Sequence, residues 1–196
     1  MSTNALIAAR NFRSWSSLLR QLHFAPLDMA LHSGGLPALS KAAPLVQVSP
    51  SAKDGEGAVQ VPAASLAEIS GAVLALEQSV SSRMSVMPHN PSSRFLNAFS
   101  HIFAGGYAAG YYSYKFSEVM SCDAFEAFAE ARADNPPEAE ADARWRELGL
   151  RYRDTVLALG GSVDAAEVFR MFRGRDPITA PLLKQSGLVA PAKTTA

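Results

Sequence analysis

The sequence predicts an all-α fold, and three observations support this prediction. Apolar residues recur every three or four positions in several long segments, which is the spacing of one buried face of a helix. Glycine and proline interrupt these segments at positions where helices commonly end. No segment alternates apolar and polar residues as a half-buried strand does, and no internal repeat is evident.

The predicted helices are spaced along the whole chain. In order they are Asn11–Ala25, Ser65–Ser82, Tyr107–Ala131, Ala141–Leu159, a helix that Ser162 caps and Gly174 ends, and a short helix at Pro181–Ser186. Pro26 is expected to kink or end the first of them, because proline lacks a backbone N–H and its ring clashes with the preceding turn. The third helix is apolar on nearly every side, a pattern typical of a buried helix.

Two segments lack any helical period. Residues 33–64 are rich in glycine, proline, serine and alanine, and residues 131–140 contain two prolines among acidic residues. Such compositions bury too little apolar surface to offset the entropy of ordering the chain. We therefore predict disordered insertions at both places.

The composition is that of one globular domain, and it argues against two classes of partner. Of 196 residues, 48% are hydrophobic and 18% are charged, and 18 Lys and Arg balance 18 Asp and Glu to a net charge of zero. A neutral chain gives no electrostatic argument for nucleic acid or for an anionic membrane surface, and no segment approaches the ~20 apolar residues of a membrane span. The single cysteine, Cys122, lies in an apolar helix, and we interpret it as a buried side chain in a protein of a reducing compartment.

The third predicted helix opens with a row of tyrosines. Tyr107, Tyr111 and Tyr114 stand at i, i+4 and i+7, so they are predicted to line one face of the helix. Gly105 and Gly106, just before them, predict a long, mobile glycine-rich loop that lets the backbone approach a ligand closely. A row of phenol hydroxyls suits hydrogen-bond donation to a peptide or an oxyanion. Tyrosines at this spacing are also typical of a helix core, and the pattern alone favours that alternative.

Three blocks of the sequence resemble one family, in the family's order: RQLHFAPLDMALH near the start, FSHIFAGGYAAGYYSY in the middle and LALGGSVDAAEVFRMFRGRDPITAPLLKQSGL near the end. They are similar to the C-terminal catalytic-domain segment of the thimet oligopeptidase, oligopeptidase A and peptidyl-dipeptidase family of zinc metallopeptidases. The resemblance implies a helical segment of a zincin-type oligopeptidase catalytic domain, with residues 1–196 as a partial C-terminal portion. It also implies the hydrolysis of short oligopeptides, with zinc as the family's cofactor.

The resemblance also implies roles for six residues of the tyrosine stretch. Three positions align with residues that bind the substrate and stabilise the tetrahedral intermediate, and these implied catalytic residues are His101, Tyr107 and Tyr114. Three more align with the flexible loop that closes on the peptide and with a further tyrosine of the same face, and these implied substrate-binding residues are Gly105, Gly106 and Tyr111.

The family's zinc ligands have no counterpart in this chain. In the family, zinc is held by HExxH on one helix and by a glutamate on the next. The four histidines of the chain are each followed by a residue other than glutamate, and no two stand four apart: His23, His32, His89 and His101. We therefore assign no metal ligand and expect the chain alone to be inactive.

Two interpretations of the function follow. In the first, the chain is the substrate-side part of a zinc metalloendopeptidase, and its partners are short peptides and the missing N-terminal part of the catalytic domain. In the second, it is a catalytically inactive truncated paralogue that acts as a peptide-binding or structural remnant. Neither interpretation involves nucleic acid or a membrane.

The first residues of the chain have mixed character. Arg10, Arg13 and Arg20 occur with several serines and no acidic residue, as in a transit peptide. However, residues from about Leu18 onward resemble a helix inside the family's catalytic domain. We therefore expect a start codon within a longer reading frame, or a truncated gene, and a cytoplasmic chain, with an organellar parent protein as the alternative.

Two arginines near the end also have two interpretations. Arg173 and Arg175, in the segment FRGRDP, have the geometry to clamp a substrate carboxylate with two hydrogen bonds. The alternative, which we favour, is a structural ion pair with Asp176, Glu167 or another acid.

Overall fold

The computed structural model describes four stretches of the chain: residues 2–33, 47–48, 59–60 and 63–189. The α-helices within them are α1 (Thr3–Asn11), α2 (Ser14–His32), α3 (Ala63–Met84), α4 (Ser113–Glu130), α5 (Glu138–Tyr152), α6 (Ala165–Arg173) and α7 (Ala180–Gln185). Two 3-10 helices precede α4, at Phe95–Ala98 and Ser100–Ile102, and a π-helical turn, Arg153–Leu157, follows α5. The prediction of an all-α fold is confirmed.

Most of the first predicted insertion, 33–64, lies outside the described residues. Its described part includes one antiparallel pair of two-residue strands, β1 (Gln47–Val48) and β2 (Val59–Gln60). In the second, 131–140, the structure differs from the predicted disorder: turns lead directly into α5, which begins at Glu138. Arg144 stabilises this connection, because its guanidinium donates to Asp134 at 2.9 Å and to Glu140 at 2.6 Å.

Helix α2 does not end at Pro26, which was one of the two outcomes predicted for the first helix. A separate helix, α1, comes first, and the two are divided at Arg13, whose φ is 58°. Helix α2 then continues through Pro26 to His32. The proline costs about 3 kcal/mol in a helix interior. The next two residues, Leu27 and Asp28, are fully buried, and their packing and hydrogen bonds offset that cost.

The predicted helix from Tyr107 to Ala131 begins six residues later, at Ser113, and ends at Glu130. Residues 108–112 form turns, with Ala109 in the left-handed region at a φ of 54°. The predicted single helical face of Tyr107, Tyr111 and Tyr114 is therefore wrong. The prediction that this helix is buried on all sides is also wrong: Phe116 and Phe125 are exposed, since α4 buries only the face that carries Cys122, Asp123 and Ala127.

The chain divides into two compact units. The central unit is Ser16–Ser113, and the terminal unit combines Met1–Trp15 with Tyr114–Ala196. The buried core of the central unit brings together α2, α3 and the 3-10 helices through Phe24, Leu27, Val80, Leu96, Phe99, Ile102 and Tyr111. In the terminal unit the buried apolar residues lie on α4 to α7, and they include Cys122, Ala127, Ala141, Val168, Phe169, Phe172 and Leu182.

A buried carboxylate joins three segments of the terminal unit. Asp123 is fully buried and accepts hydrogen bonds from both terminal nitrogens of Arg175 at 2.6 Å and from the backbone N–H of Ile178 at 2.9 Å. Arg173 donates to Asp123 at 3.2 Å and to both oxygens of Glu130 at 2.9 and 3.0 Å. The two arginines are thus engaged in structural ion pairs, as we favoured, with Asp123 and Glu130 as the acids.

Helix α6 has a cap at each end. Asp164, and not Ser162 as predicted, caps α6, because its carboxylate accepts the N–H of Ala166 at 2.9 Å. Gly174 ends the helix with a φ of 73°, as expected for a left-handed cap.

Burial raises the pKa of the Cys122 thiol, which disfavours the reactive thiolate and agrees with a packing role.

Candidate functional site

The candidate site lies in the central unit, where a tight turn at Gly105 and Gly106 folds the chain back on itself. The N–H of Gly105 donates to the carbonyl of Ser100 at 2.8 Å, and the N–H of Tyr107 donates to the carbonyl of His101 at 3.1 Å. A Cβ at Gly105 would lie 2.9 Å from both the Cα and the carbonyl oxygen of His101, so a larger residue does not fit without a backbone shift. Gly106 adopts a φ of 79°, which favours glycine.

The turn places two of the implied catalytic residues side by side. The rings of His101 and Tyr107 are 6.0 Å apart between centroids, and both residues are exposed. Tyr107 retains 37% of its accessible surface. The local arrangement therefore presents an imidazole and a phenol together on the surface of the central unit.

Asp28 fixes the backbone that follows Tyr107. One oxygen of its carboxylate accepts the N–H of Ala109 at 2.9 Å, and the other accepts the N–H of Tyr111 at 2.8 Å. The first oxygen also contacts Nδ1 of His32 at 2.8 Å. These contacts hold the turn at residues 108–112 against α2. Because Asp28 is fully buried, water does not compete for its hydrogen bonds.

Tyr111 is a core residue in this arrangement. Only 8% of it is exposed, and its ring packs edge-on against Phe24 and Phe99 at centroid distances of 5.6 and 5.2 Å. Its hydroxyl donates to the side-chain oxygen of Gln21 at 3.0 Å. Burial raises the pKa of Tyr111, so the neutral phenol is favoured. The core alternative thus describes Tyr111, whereas Tyr107 remains at the surface.

The division into units separates the six predicted site residues into two groups. Five of them lie in the central unit: His101, Gly105, Gly106, Tyr107 and Tyr111. Tyr114 belongs to the terminal unit, in the first turn of α4, and 42% of it is exposed. Tyr112, which no prediction assigned to the site, is exposed to a similar extent, 49%.

Asp28, Gln21 and His32 were missed as site residues by the sequence analysis. One signal for them was present: Asp28 and His32 stand four apart, so a helix places them on the same face.

Within the described ranges, no group of three or more His, Cys, Asp or Glu residues is arranged to hold a metal ion. The described helices also include none that is long and apolar enough to cross a membrane.

Comparison with known proteins yields a family and several related sequences. A family model described as Peptidase family M3 matches residues 64–188. The chain is 41% identical over 185 residues to the probable cytosolic oligopeptidase A of Arabidopsis thaliana, covering 94% of this chain and 21% of that protein. It is 42% identical over 185 residues to the organellar oligopeptidase A, chloroplastic/mitochondrial, of the same plant, covering 94% and 19%.

A bacterial protein shows the same relationship. The chain is 34% identical over 183 residues to oligopeptidase A of Escherichia coli (strain K12), covering 93% of this chain and 21% of the bacterial protein. The chain therefore spans about a fifth of the length of the curated relatives that it matches.

Proposed function

The chain belongs to peptidase family M3, and from this premise we propose that it is the substrate-side part of a zinc metalloendopeptidase that hydrolyses short oligopeptides. The names of the similar plant and bacterial proteins, oligopeptidase A, support peptides as the substrate class. In this proposal, residues 1–196 are a C-terminal portion of the catalytic domain. The working compartment is the cytoplasm, with an organelle as the alternative, since the plant relatives include one named cytosolic and one named organellar.

The observation that carries the proposal is the turn that presents His101 beside Tyr107. A peptidase must bind the peptide backbone and stabilise the negative charge that develops on the carbonyl oxygen. An imidazole and a phenol are suitable donors for both tasks, and the two rings lie 6.0 Å apart at the surface. In this proposal, the close packing at Gly105 and the hydrogen bonds that Asp28 accepts from Ala109 and Tyr111 hold this pair in place before any ligand binds.

The residues of this chain do not fit a zinc site of the family's kind. The sequence has no HExxH and no two histidines four apart, and the described residues contain no cluster of metal ligands. In the proposed enzyme, the zinc site therefore belongs to another part of the catalytic domain. This chain's own task is to bind and orient the peptide and to donate hydrogen bonds to the oxyanion.

Tyr114 is the proposed oxyanion donor, with Tyr107 and His101 as the other catalytic residues. A single donor aimed at an oxyanion is worth about 10²–10³ in turnover. Gly105 and Gly106 are proposed to bring the backbone close to the peptide. Tyr111, implied as a further substrate-binding residue, is buried and bonded to Gln21, so in this proposal it supports the residues that contact the peptide and does not contact the peptide itself.

The experiment that tests the proposal uses a restored enzyme, in which this segment is joined by the part of the catalytic domain that carries HExxH, either as a second chain or in one longer reading frame. Tyr114→Phe keeps the ring and removes one donor. We expect turnover to fall by roughly 10²-fold with little change in KM, because the lost interaction strengthens only in the transition state.

Tyr112→Phe is the matched control, since Tyr112 is a neighbouring tyrosine of similar exposure. It should be nearly silent. Near-normal turnover in Tyr114→Phe, or equal losses in both variants, would show that the tyrosines only pack. The inactive truncated paralogue is the alternative function, and the genomic sequence just upstream separates the two: an in-frame HExxH supports the enzyme, and its absence supports the paralogue.

A further inference from the structure

Asp28 is a buried carboxylate that is hydrogen-bonded to the backbone next to the candidate site. A carboxylate on the surface of a helix normally faces water, whereas Asp28 is fully buried on α2, two residues after Pro26. Its two oxygens accept the backbone N–H groups of Ala109 and Tyr111, in the turn at residues 108–112, which lies more than 80 residues later in the chain. Burying a carboxyl group is costly unless its oxygens are hydrogen-bonded. The contacts therefore both satisfy Asp28 and fix the turn.

The turn at residues 108–112 needs this support because it contains an unfavourable backbone conformation. Ala109 adopts a φ of 54°, a left-handed conformation that is unfavourable for an alanine because its Cβ approaches the backbone. That conformation allows the amides of Ala109 and Tyr111 to reach the two oxygens of the same carboxylate. Two backbone amides that converge on one anion form the kind of concavity that binds anions in proteins. Here the anion is the side chain of Asp28.

The turn held in this way begins next to Tyr107 and ends at the core residue Tyr111. Resting on the function proposed above, we propose that Asp28 is the positioning residue of the site: it acts through the backbone of Ala109 and Tyr111 to hold Tyr107 beside His101. Asp28 itself touches no substrate. His32 supports it, because Nδ1 of His32 lies 2.8 Å from the Asp28 oxygen that also receives Ala109.

The test compares Asp28→Asn with Asp123→Asn in the restored enzyme. Both aspartates are fully buried and both receive backbone N–H groups. Asp123, however, lies in the terminal unit, and its donors, Arg173, Arg175 and Ile178, are not assigned to the site. Each substitution replaces one carboxylate oxygen with an amide NH2 group, which donates hydrogen bonds and cannot accept them. Both variants should be less stable. We expect only Asp28→Asn to lower turnover per folded molecule, by roughly 10- to 100-fold with KM nearly unchanged, as for a misplaced catalytic group.

His32→Ala is a second test that does not enter the core, since His32 is the exposed last residue of α2. It removes one of the contacts to Asp28, and we expect a smaller loss of turnover, again with KM unchanged. The positioning role is overturned if turnover stays normal in both Asp28→Asn and His32→Ala, or if Asp123→Asn loses as much turnover as Asp28→Asn.

Tyr114→Phe, measured in the same assay, separates this inference from the proposed function. A large loss in Tyr114→Phe together with normal turnover in Asp28→Asn contradicts the positioning role alone. Normal turnover in Tyr114→Phe contradicts the proposed catalytic role of the tyrosines, whatever Asp28→Asn does.

Discussion

The hydroxyl of Tyr111 illustrates how a single residue can be predicted for one role and occupy another. Its spacing predicted a place on one helical face with Tyr107 and, taken alone, favoured the core, whereas the resemblance implied a substrate-binding role. In the folded chain its ring is buried and its hydroxyl bonds to Gln21. No local pattern could have indicated this partner, because Gln21 lies 90 residues earlier in the chain.

Removing this hydroxyl should destabilise the central unit. Tyr111→Phe keeps the ring contacts and leaves the Gln21 oxygen without its donor, so we expect the free energy of unfolding to fall by about 0.5–1.5 kcal/mol. Denaturant unfolding measures the change. Tyr112→Phe is the control, since Tyr112 is half exposed, and it should change stability by less than about 0.5 kcal/mol. Equal effects in the two variants would contradict the assigned bond.

At the scale of the element, the helices were largely predictable and their ends were not. The apolar periods placed α3 and α6 within a few residues, and Gly174 ends α6 as predicted. The helix predicted at Ala141–Leu159 corresponds to α5 together with the π-helical turn that follows it. The continuation of α2 past Pro26 and the late start of α4 have one physical source. Long-range contacts, above all the burial of Leu27 and the bonds of Asp28 to the turn, outweigh local propensity, and a helical period contains no information about them.

The link between α4, α6 and the segment before α7 should be sensitive to acid. Burial alone would raise the pKa of Asp123, but the hydrogen bonds from Arg175 and Ile178 outweigh it and lower the pKa below 3.8. The hydrogen bonds from Arg173 hold the pKa of Glu130 below 4.5. Groups with lowered pKa values contribute stability that is fully present above their unfolded values and is lost as pH falls through the folded ones.

We therefore expect the melting temperature of the terminal unit to fall steeply below about pH 4.5. Thermal unfolding followed by circular dichroism across this range measures the effect. Asp123→Asn should flatten the dependence on pH, whereas Asp154→Asn, at an exposed ion pair with Arg153, should leave it unchanged. A pH dependence identical in Asp123→Asn and the unmodified chain would contradict the assignment.

At the scale of the whole molecule, large apolar side chains remain exposed in both units. They include Phe12, Phe116, Phe125, Leu157 and Met171 in the terminal unit and Met87 and Phe103 in the central unit. The sequence predicted α4 as a buried helix because its pattern is apolar on nearly every side. That pattern correctly indicates a preference for burial, but the described elements of the terminal unit cover only one of its faces.

We expect the isolated chain to associate or to pack loosely, because uncovered apolar surface favours self-association. Light scattering should detect oligomers, or a hydrophobic dye should bind, and melting should be weakly cooperative. A monomer by light scattering with a sharp two-state transition would show instead that the chain closes its own core.

The family was accessible from the sequence because three blocks of residues resemble one family, and the family match agrees with them. The details of the site were not accessible. The close approach of Gly105 to His101, the left-handed Ala109 and the carboxylate of Asp28 depend on contacts across the fold. The proposed function depends on these details, since they place Tyr107 beside His101.

The most direct test of the account is the metal content and peptidase activity of the purified chain. The central claim is that this chain holds the substrate side of a family M3 peptidase and not its zinc site. We predict no stoichiometric zinc by metal analysis and no cleavage of short peptides by the chain alone. One tightly bound zinc ion per chain, together with hydrolysis that a chelator abolishes, would contradict the claim.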